Sequence, residues 1–208
     1  MNGAKPAILM GAALIALILS GCTGTPRTNS PAEITRGENG FTIEESARAG
    51  LGARADFEKA NAAIEAGDLE AGIELLQVIT KTAPQFTAAQ INLSIAYQRN
   101  EDFEAAESAL QQALEFNPKH PVALNELGIV QRRTGRFSDA RASFEKALSL
   151  HPEFHFARKN LAVLCDLFLN EPLCALQNYR LYSVLNPEDE AAEIWIADLE
   201  NRTSEQGR

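Results

Sequence analysis

The chain has 208 residues, of which 45% are hydrophobic and 23% are charged, so most of it can fold around a buried core. Its formal net charge is −9, and residues 1–21 contribute one lysine and no acid, so the rest of the chain is more acidic still. This charge, without a basic stripe, excludes a nucleic-acid partner and would repel anionic lipid headgroups.

The first 21 residues have the composition of a signal peptide. Lys5 gives a short positive segment, and residues 7–19 are an uninterrupted apolar run of 13 residues. A transmembrane helix needs about 20 apolar residues, whereas a signal peptide needs fewer. The pattern therefore predicts a secreted chain whose residues 1–21 are removed.

The four residues at the end of this segment, Leu19, Ser20, Gly21 and Cys22, resemble the lipobox of bacterial lipoproteins at every position. The resemblance implies that Cys22 becomes the first residue and carries several acyl chains, palmitate among them, which anchor it stably. Thr23 stands where an aspartate would signal the inner membrane, so in a Gram-negative host the resemblance implies the periplasmic face of the outer membrane. The alternative is an ordinary signal peptide with an incidental cysteine. Beyond the covalent lipid, we expect no cofactor.

Residues 22–41 follow as a polar segment with almost no apolar side chain, which predicts a flexible tether. Residues 42–45 read Thr-Ile-Glu-Glu, which has the form of a helical capping box, and Phe41 precedes it. The sequence therefore predicts an N-terminal helical lead-in over residues 42–52.

Four prolines then recur at intervals of 34, 34 and 35 residues: Pro84, Pro118, Pro152 and Pro187. This period predicts four helix–turn–helix repeats. The repeats span residues 53–86, 87–120, 121–154 and 155–189. The eighth residue of each repeat is small, which allows two helices to cross closely: Ala60, Ser94, Gly128 and Ala162.

The third repeat carries the fullest pattern: Leu124, Leu127, Gly128, Gly135, Phe137, Ala140, Phe144, Ala147 and Pro152. This pattern resembles the tetratricopeptide repeat (TPR), and the resemblance covers residues 53–189. It implies an all-α solenoid of about four repeats that binds other proteins. Residues 190–202 resemble the helix that caps such an array, and residues 203–208 are a polar tail.

Cys165 and Cys174 lie on either side of the predicted turn in the fourth repeat. An oxidising compartment would allow a disulfide between them, and the alternative is two buried small apolar residues. His151 and His155 have a metal-ligand spacing, but Pro152 interrupts the helix between them, so no metal site is predicted. No phosphate-binding loop, nucleophile elbow or catalytic carboxylate pair occurs, so the sequence does not predict an enzyme.

The resemblance also implies a concave groove lined by the first helix of each repeat. In this register the predicted partner-binding residues are Asn61, Ile91, Ile95, Arg99, Asn125, Ile129, Arg132, Arg133, Lys159 and Val163. Apolar side chains beside four cations suit an amphipathic helix or an extended peptide that carries acidic residues. The alternatives are contacts through the convex face or an edge, including self-association.

The combined pattern predicts a non-catalytic outer-membrane adaptor that binds protein partners of the cell envelope and touches the membrane only through its lipid. It resembles TPR lipoproteins of type IV or Flp pilus assembly, so a pilus or secretion apparatus is the expected setting. A scaffold for peptidoglycan enzymes, or another envelope complex, is the alternative. An enzyme or its regulatory subunit is a remote one.

Overall fold

The structure, a computed structural model, describes residues 33–37, 40–44 and 51–206, with side chains over residues 52–204. The predicted signal peptide and Cys22 lie outside the described residues. Two strands precede the helices, β1 (Glu33–Gly37) and β2 (Gly40–Glu44). The helices are α1 (Leu51–Glu65), α2 (Leu69–Thr82), α3 (Thr87–Arg99), α4 (Phe103–Phe116), α5 (Pro121–Arg133), α6 (Phe137–Leu150), α7 (His155–Leu167), α8 (Pro172–Leu185) and α9 (Ala191–Gln206).

The helices form four consecutive pairs, α1 with α2 through α7 with α8, and α9 packs on α8. Each second helix also packs on the first helix of the next pair, so the pairs stack into a solenoid. The helices α3, α5 and α7 begin at residues 87, 121 and 155, where the proline spacing sets the starts of repeats two to four. The predicted all-α solenoid of four helix pairs is confirmed.

Close helix crossings hold each pair together. Gly128 of α5 lies against Phe144 of α6, and a Cβ atom added to Gly128 would be 2.5 Å from Phe144 Cε1. The other small residues at this place in the repeats, Ala60, Ser94 and Ala162, are fully buried. Large side chains at these positions would separate the helices, so the small residues set the distance between them.

The turn within each pair has one residue in the left-handed region, namely Gly67, Glu101, Gly135 and Asn170. The residue that follows donates its backbone N–H back to the first helix, as Asp102 does to Tyr97 O at 2.9 Å. Glycine adopts this conformation without a steric cost, whereas the side chains of Glu101 and Asn170 make it less favourable. In two pairs an aspartate then caps the second helix: Asp68 accepts from Ala71 N and Asp102 from Ala105 N.

The segment before the solenoid differs from the prediction. β1 and β2 pair antiparallel, with Ile34 opposite Ile43 and Thr35 opposite Thr42. The predicted tether covers residues 22–41 and the predicted helical lead-in covers residues 42–52, but α1 begins only at Leu51. The β-branched residues of this segment favour extended backbone, and that preference outweighs the capping-box pattern.

The C-terminal helix also differs in length from the prediction. α9 runs to Gln206, so the first residues of the predicted polar tail, 203–208, continue the capping helix. Thr203 remains compatible with helix because its hydroxyl donates to Leu199 O at 2.9 Å. Within the part of the chain that the structure describes, no helix combines the length and apolar character of a membrane span.

Candidate partner-binding surface

The first helices of neighbouring pairs, α1, α3, α5 and α7, contact one another directly. A hydrogen bond between two asparagines joins α1 to α3, and another joins α5 to α7. Asn92 Nδ2 donates to Asn61 Oδ1 at 2.8 Å, and Asn160 Nδ2 donates to Asn125 Oδ1 at 2.9 Å. These hydrogen bonds fix one repeat against the next on the side that the first helices line.

The carboxylate of Glu126 joins α5 to α3, the first helices of the third and second pairs. Gln98 Nε2 of α3 donates to Glu126 Oε2 of α5 at 3.1 Å, and Asn125 Nδ2 donates to Glu126 Oε1 at 3.2 Å. Burial raises the pKa of Glu126, and these two hydrogen bonds offset part of the rise. Asn92, Glu126 and Asn160 are not among the predicted groove residues, although they recur at intervals of 34 residues.

The predicted apolar residues of the groove are only partly accessible. Ile91 is 4% exposed and belongs to the core, so its side chain is not available to a partner. Ile95, Ile129 and Val163 are half-buried and pack against the core clusters. Asn125 is likewise buried. These placements differ from the prediction because the first helices pack on each other as well as on their partners.

Lys159, predicted as a groove cation, is held by the C-terminal cap. Its Nζ lies 3.0 Å from Asp189 Oδ2 and 4.7 Å from the centre of the Trp195 ring. Tyr182 Oη also donates to Asp189 Oδ2, at 2.6 Å. The Tyr182 hydroxyl and the Lys159 ammonium lower the pKa of Asp189. Lys159 therefore joins the fourth repeat to α9, which the sequence alone does not indicate.

The other three predicted cations, Arg99, Arg132 and Arg133, form the arginine patch. Arg133 Nη1 donates to Gln98 O at 3.2 Å, and its guanidinium carbon lies 4.5 Å from the centre of the Phe103 ring. The guanidinium carbon of Arg132 lies 5.5 Å from the centre of the Phe168 ring. Phe103 and Phe168 adjoin the turns within their helix pairs, so the arginine patch lies toward the turn edge of the solenoid.

Exposed apolar side chains lie near the same edge. Leu167 is 68% exposed and Phe168 is 42% exposed, although Phe168 also packs on Phe137 with ring centres 5.1 Å apart. Of the eight large apolar side chains that are exposed among the described residues, seven lie between Phe156 and Ile194. The C-terminal half of the solenoid thus has the more apolar surface, which is typical of protein contact.

Cys165 of α7 and Cys174 of α8 form a disulfide with Cα atoms 5.8 Å apart. It spans the turn between α7 and α8, in the fourth repeat. Closing a loop of this length stabilises a fold by about 2.5 kcal/mol through chain entropy. The carboxylate of Glu171, which also pairs with Arg141, lies within 4.8 Å of both sulfurs. While the sulfurs are bonded to each other, neither offers a thiolate to a metal.

Comparisons with known proteins agree with this geometry. A sequence model of the tetratricopeptide repeat family matches residues 91–164. No curated protein shows significant sequence similarity to the chain. Among solved structures, PilF of Pseudomonas aeruginosa is similar with 20% identity and a TM-score of 0.67, over 74% of this chain and 69% of that one.

Two further solved structures have the same architecture. MamA of Desulfovibrio magneticus RS-1 is similar with 16% identity and a TM-score of 0.64, over 74% of this chain and 87% of that one. A thermophilic TPR protein of Thermus thermophilus is similar with 23% identity and a TM-score of 0.63, over 71% and 80%. At these identities the likeness shows the fold. The chain has the fold of a tetratricopeptide-repeat solenoid, an architecture that serves protein–protein interaction.

Proposed function

We propose that this protein is a non-catalytic adaptor, anchored by a lipid on Cys22 to the periplasmic face of the outer membrane, that binds proteins of a pilus or secretion apparatus. The observation that carries the adaptor role is the stack of four helix pairs whose first helices line one continuous side. Solenoids of this kind use such extended surfaces for binding.

The anchoring part of the proposal is supported by the sequence at residues 19–22, which matches the lipobox. Acylation of Cys22 would give a stable membrane attachment to a chain whose net negative charge opposes binding to anionic lipid. The disulfide between Cys165 and Cys174 is compatible with an oxidising compartment such as the periplasm.

The assignment to a pilus or secretion apparatus is the finer part of the proposal. The similarity to PilF of Pseudomonas aeruginosa, at 20% identity, is a similarity in fold and is compatible with the pilus assignment. The support is the combination of a lipobox with a TPR solenoid, which the chain shares with adaptors of pilus assembly.

Acylation is tested by comparing the wild-type protein with Cys22→Ser after growth with a labelled fatty acid. We expect label on the wild type alone, and the wild type but not the variant in the outer-membrane fraction. Wild-type protein without label, or a variant that remains in that fraction, would contradict the anchor.

The adaptor role is tested by crosslinking the intact protein in its native envelope and identifying the captured proteins by mass spectrometry. We expect components of a pilus or secretion apparatus, in particular outer-membrane channel subunits. Capture of peptidoglycan hydrolases or synthases instead would replace the pilus assignment with a scaffold for those enzymes. Conversion of a substrate by the purified protein would refute the non-catalytic role.

A further inference from the structure

The arginine patch groups cations that have no anionic partner among the described side chains. Six other basic residues form ion pairs with carboxylates: Lys59, Arg136, Arg141, Lys159, Arg180 and Arg202. Among the residues whose side chains the structure describes, no carboxylate lies within ion-pair distance of Arg99, Arg132 or Arg133. The described carboxylates thus leave the guanidinium groups of the patch uncompensated, and those of Arg132 and Arg133 also act on each other as like charges.

Arg132 shows the cost of this arrangement most clearly. Its side chain is half-buried, and its Nε is buried without a hydrogen-bond partner among the described residues. Burial and the adjacent charge of Arg133 lower the pKa of Arg132. A partly desolvated cation beside a like charge is unfavourable, and an anion that pairs with it recovers that energy.

The rest of the surface limits the kind of anion that fits. Arg132 lies over Phe168, Arg133 lies over Phe103, and Leu167 is exposed next to Phe168. Stacking on an aromatic ring holds a guanidinium plane in a fixed orientation, which favours the two-point hydrogen bonding of a carboxylate. The exposed Leu167 and Phe168 offer contact to an apolar side chain beside the acidic ones.

We propose that the arginine patch binds an acidic segment of a partner protein, in which two or more carboxylates flank an apolar residue that contacts Leu167 and Phe168. This inference rests on the proposed protein-binding function, and not on the anchor or on the pilus assignment. A peptide segment fits better than an anionic membrane because it is small enough to contact only the patch. A membrane surface is wider than the patch, so it would also approach other parts of a chain whose net charge is −9.

The test selects peptides from a random library displayed on phage, with the intact wild-type protein as the target. The charge-reversal variant Arg99→Glu/Arg132→Glu/Arg133→Glu is compared with a matched control, Lys81→Glu/Lys119→Glu/Lys146→Glu. The three lysines are exposed, and they form no ion pair with a described carboxylate. Circular dichroism establishes that each variant is folded, and replacement of the arginines by glutamine provides a milder variant.

We expect the selected peptides to be enriched in aspartate and glutamate around an aliphatic or aromatic residue. Their affinity for the arginine variant should fall by about tenfold or more, with little change for the lysine variant. Affinity for the wild type should also decrease as salt is added.

Several results would overturn the inference. The first is the recovery of no peptides, or of peptides without acidic enrichment. The second is equal binding of acidic peptides to the wild type and the arginine variant. If the wild type cosediments with phosphatidylglycerol vesicles and the arginine variant does not, the patch binds lipid. If the wild type and the lysine variant self-associate and the arginine variant does not, the patch binds a second copy of the chain.

The proposed function can fail separately from this inference. If crosslinked envelope partners bind the arginine variant as tightly as the wild type, the patch is not the docking site and the adaptor role stands. If acidic peptides require the patch but crosslinking in the envelope captures no protein, the specificity of the patch for acidic peptides stands and the adaptor role fails.

Discussion

At the scale of single residues, Gly128 sets the closest helix crossing in the third repeat. Because an added Cβ would lie 2.5 Å from Phe144 Cε1, and Phe144 is fully buried, the ring must move to make room. We expect Gly128→Ala to lower the free energy of unfolding by about 1–3 kcal/mol, and Gly128→Leu to lower it further. Urea denaturation followed by circular dichroism measures this loss.

Gly52 provides the matched control because it is also helical, and no atom of the described residues lies within 4 Å of an added Cβ. Gly52→Ala should leave stability unchanged or raise it by up to about 1 kcal/mol, as helix propensity favours alanine. Equal stabilities of Gly128→Ala and the wild type would show that the two helices cross elsewhere.

The raised pKa of Glu126 predicts that the stability of the fold depends on pH. Its pKa is raised above the ordinary value of 4.5 because the folded protein partly buries the carboxylate. The folded state therefore binds a proton more tightly than the unfolded state does. The resulting stabilisation is complete below pH 4.5 and is lost as the pH rises through the raised pKa.

We expect the wild type to lose stability relative to Glu126→Gln as the pH increases from 4.5 toward neutrality, since glutamine does not titrate. Chemical denaturation of both proteins across this range measures the difference, and effects of other titrating groups cancel in the comparison. A difference that is constant with pH would contradict the raised pKa.

The sequence predicts the residues that pack within a repeat better than those that bind outside it. The small residue at the eighth place recurs in every repeat because each pair solves the same packing problem, so spacing alone reveals Gly128. Lys159 was predicted to face the groove, whereas it pairs with Asp189 in the segment before α9. Asp189 leads into α9, and the equivalent residue at the end of the third repeat, Phe154, carries no charge, so periodicity gives no sign of this pair.

At the scale of elements, the four turns within the helix pairs share one backbone geometry but not one residue type. Glu101 has φ of 60° where Gly135 has φ of 78° in the equivalent turn. A side chain in this region costs about 1–2 kcal/mol, and the greater freedom of glycine in the unfolded state offsets part of that. We therefore expect Glu101→Gly to raise the free energy of unfolding by up to about 1 kcal/mol.

Urea denaturation also measures this gain, and the reciprocal change gives the control. Gly135→Ala should lower stability by about 1 kcal/mol, because it introduces a side chain at a positive φ. Glu101 forms no ion pair with the described residues, so its replacement removes no such contact. A loss of stability in Glu101→Gly would mean that the side chain makes a favourable contact that outweighs the strain.

The helical elements follow from the sequence because apolar spacing, the small residues at the helix crossings and the prolines all agree over residues 53–189. The segment before them lacks that agreement. Residues 42–45 match a capping box, yet residues 40–44 form β2, whose register depends on pairing with β1. A local pattern cannot reveal that pairing, because strand formation depends on a second segment as well as on the residues themselves.

At the scale of the whole molecule, each repeat contacts only its neighbours, so the ends of the solenoid determine how it unfolds. The last repeat is closed by α9, which contributes the fully buried Leu199 to the core cluster of repeats three and four. The disulfide, and the pairing of Lys159 with Asp189, also stabilise this end.

We expect Leu199→Ala to lower the free energy of unfolding by about 2–5 kcal/mol, because it leaves a cavity under the cap. Hydrogen exchange should accelerate first in α7, α8 and α9 and less in α1 to α4, since repeats communicate only through adjacent interfaces. The control is Ile194→Ala on the same helix, where the side chain is 69% exposed and little change is expected. Uniform acceleration along all helices in Leu199→Ala would show instead that the solenoid unfolds as a single cooperative unit, with α9 stabilising every repeat.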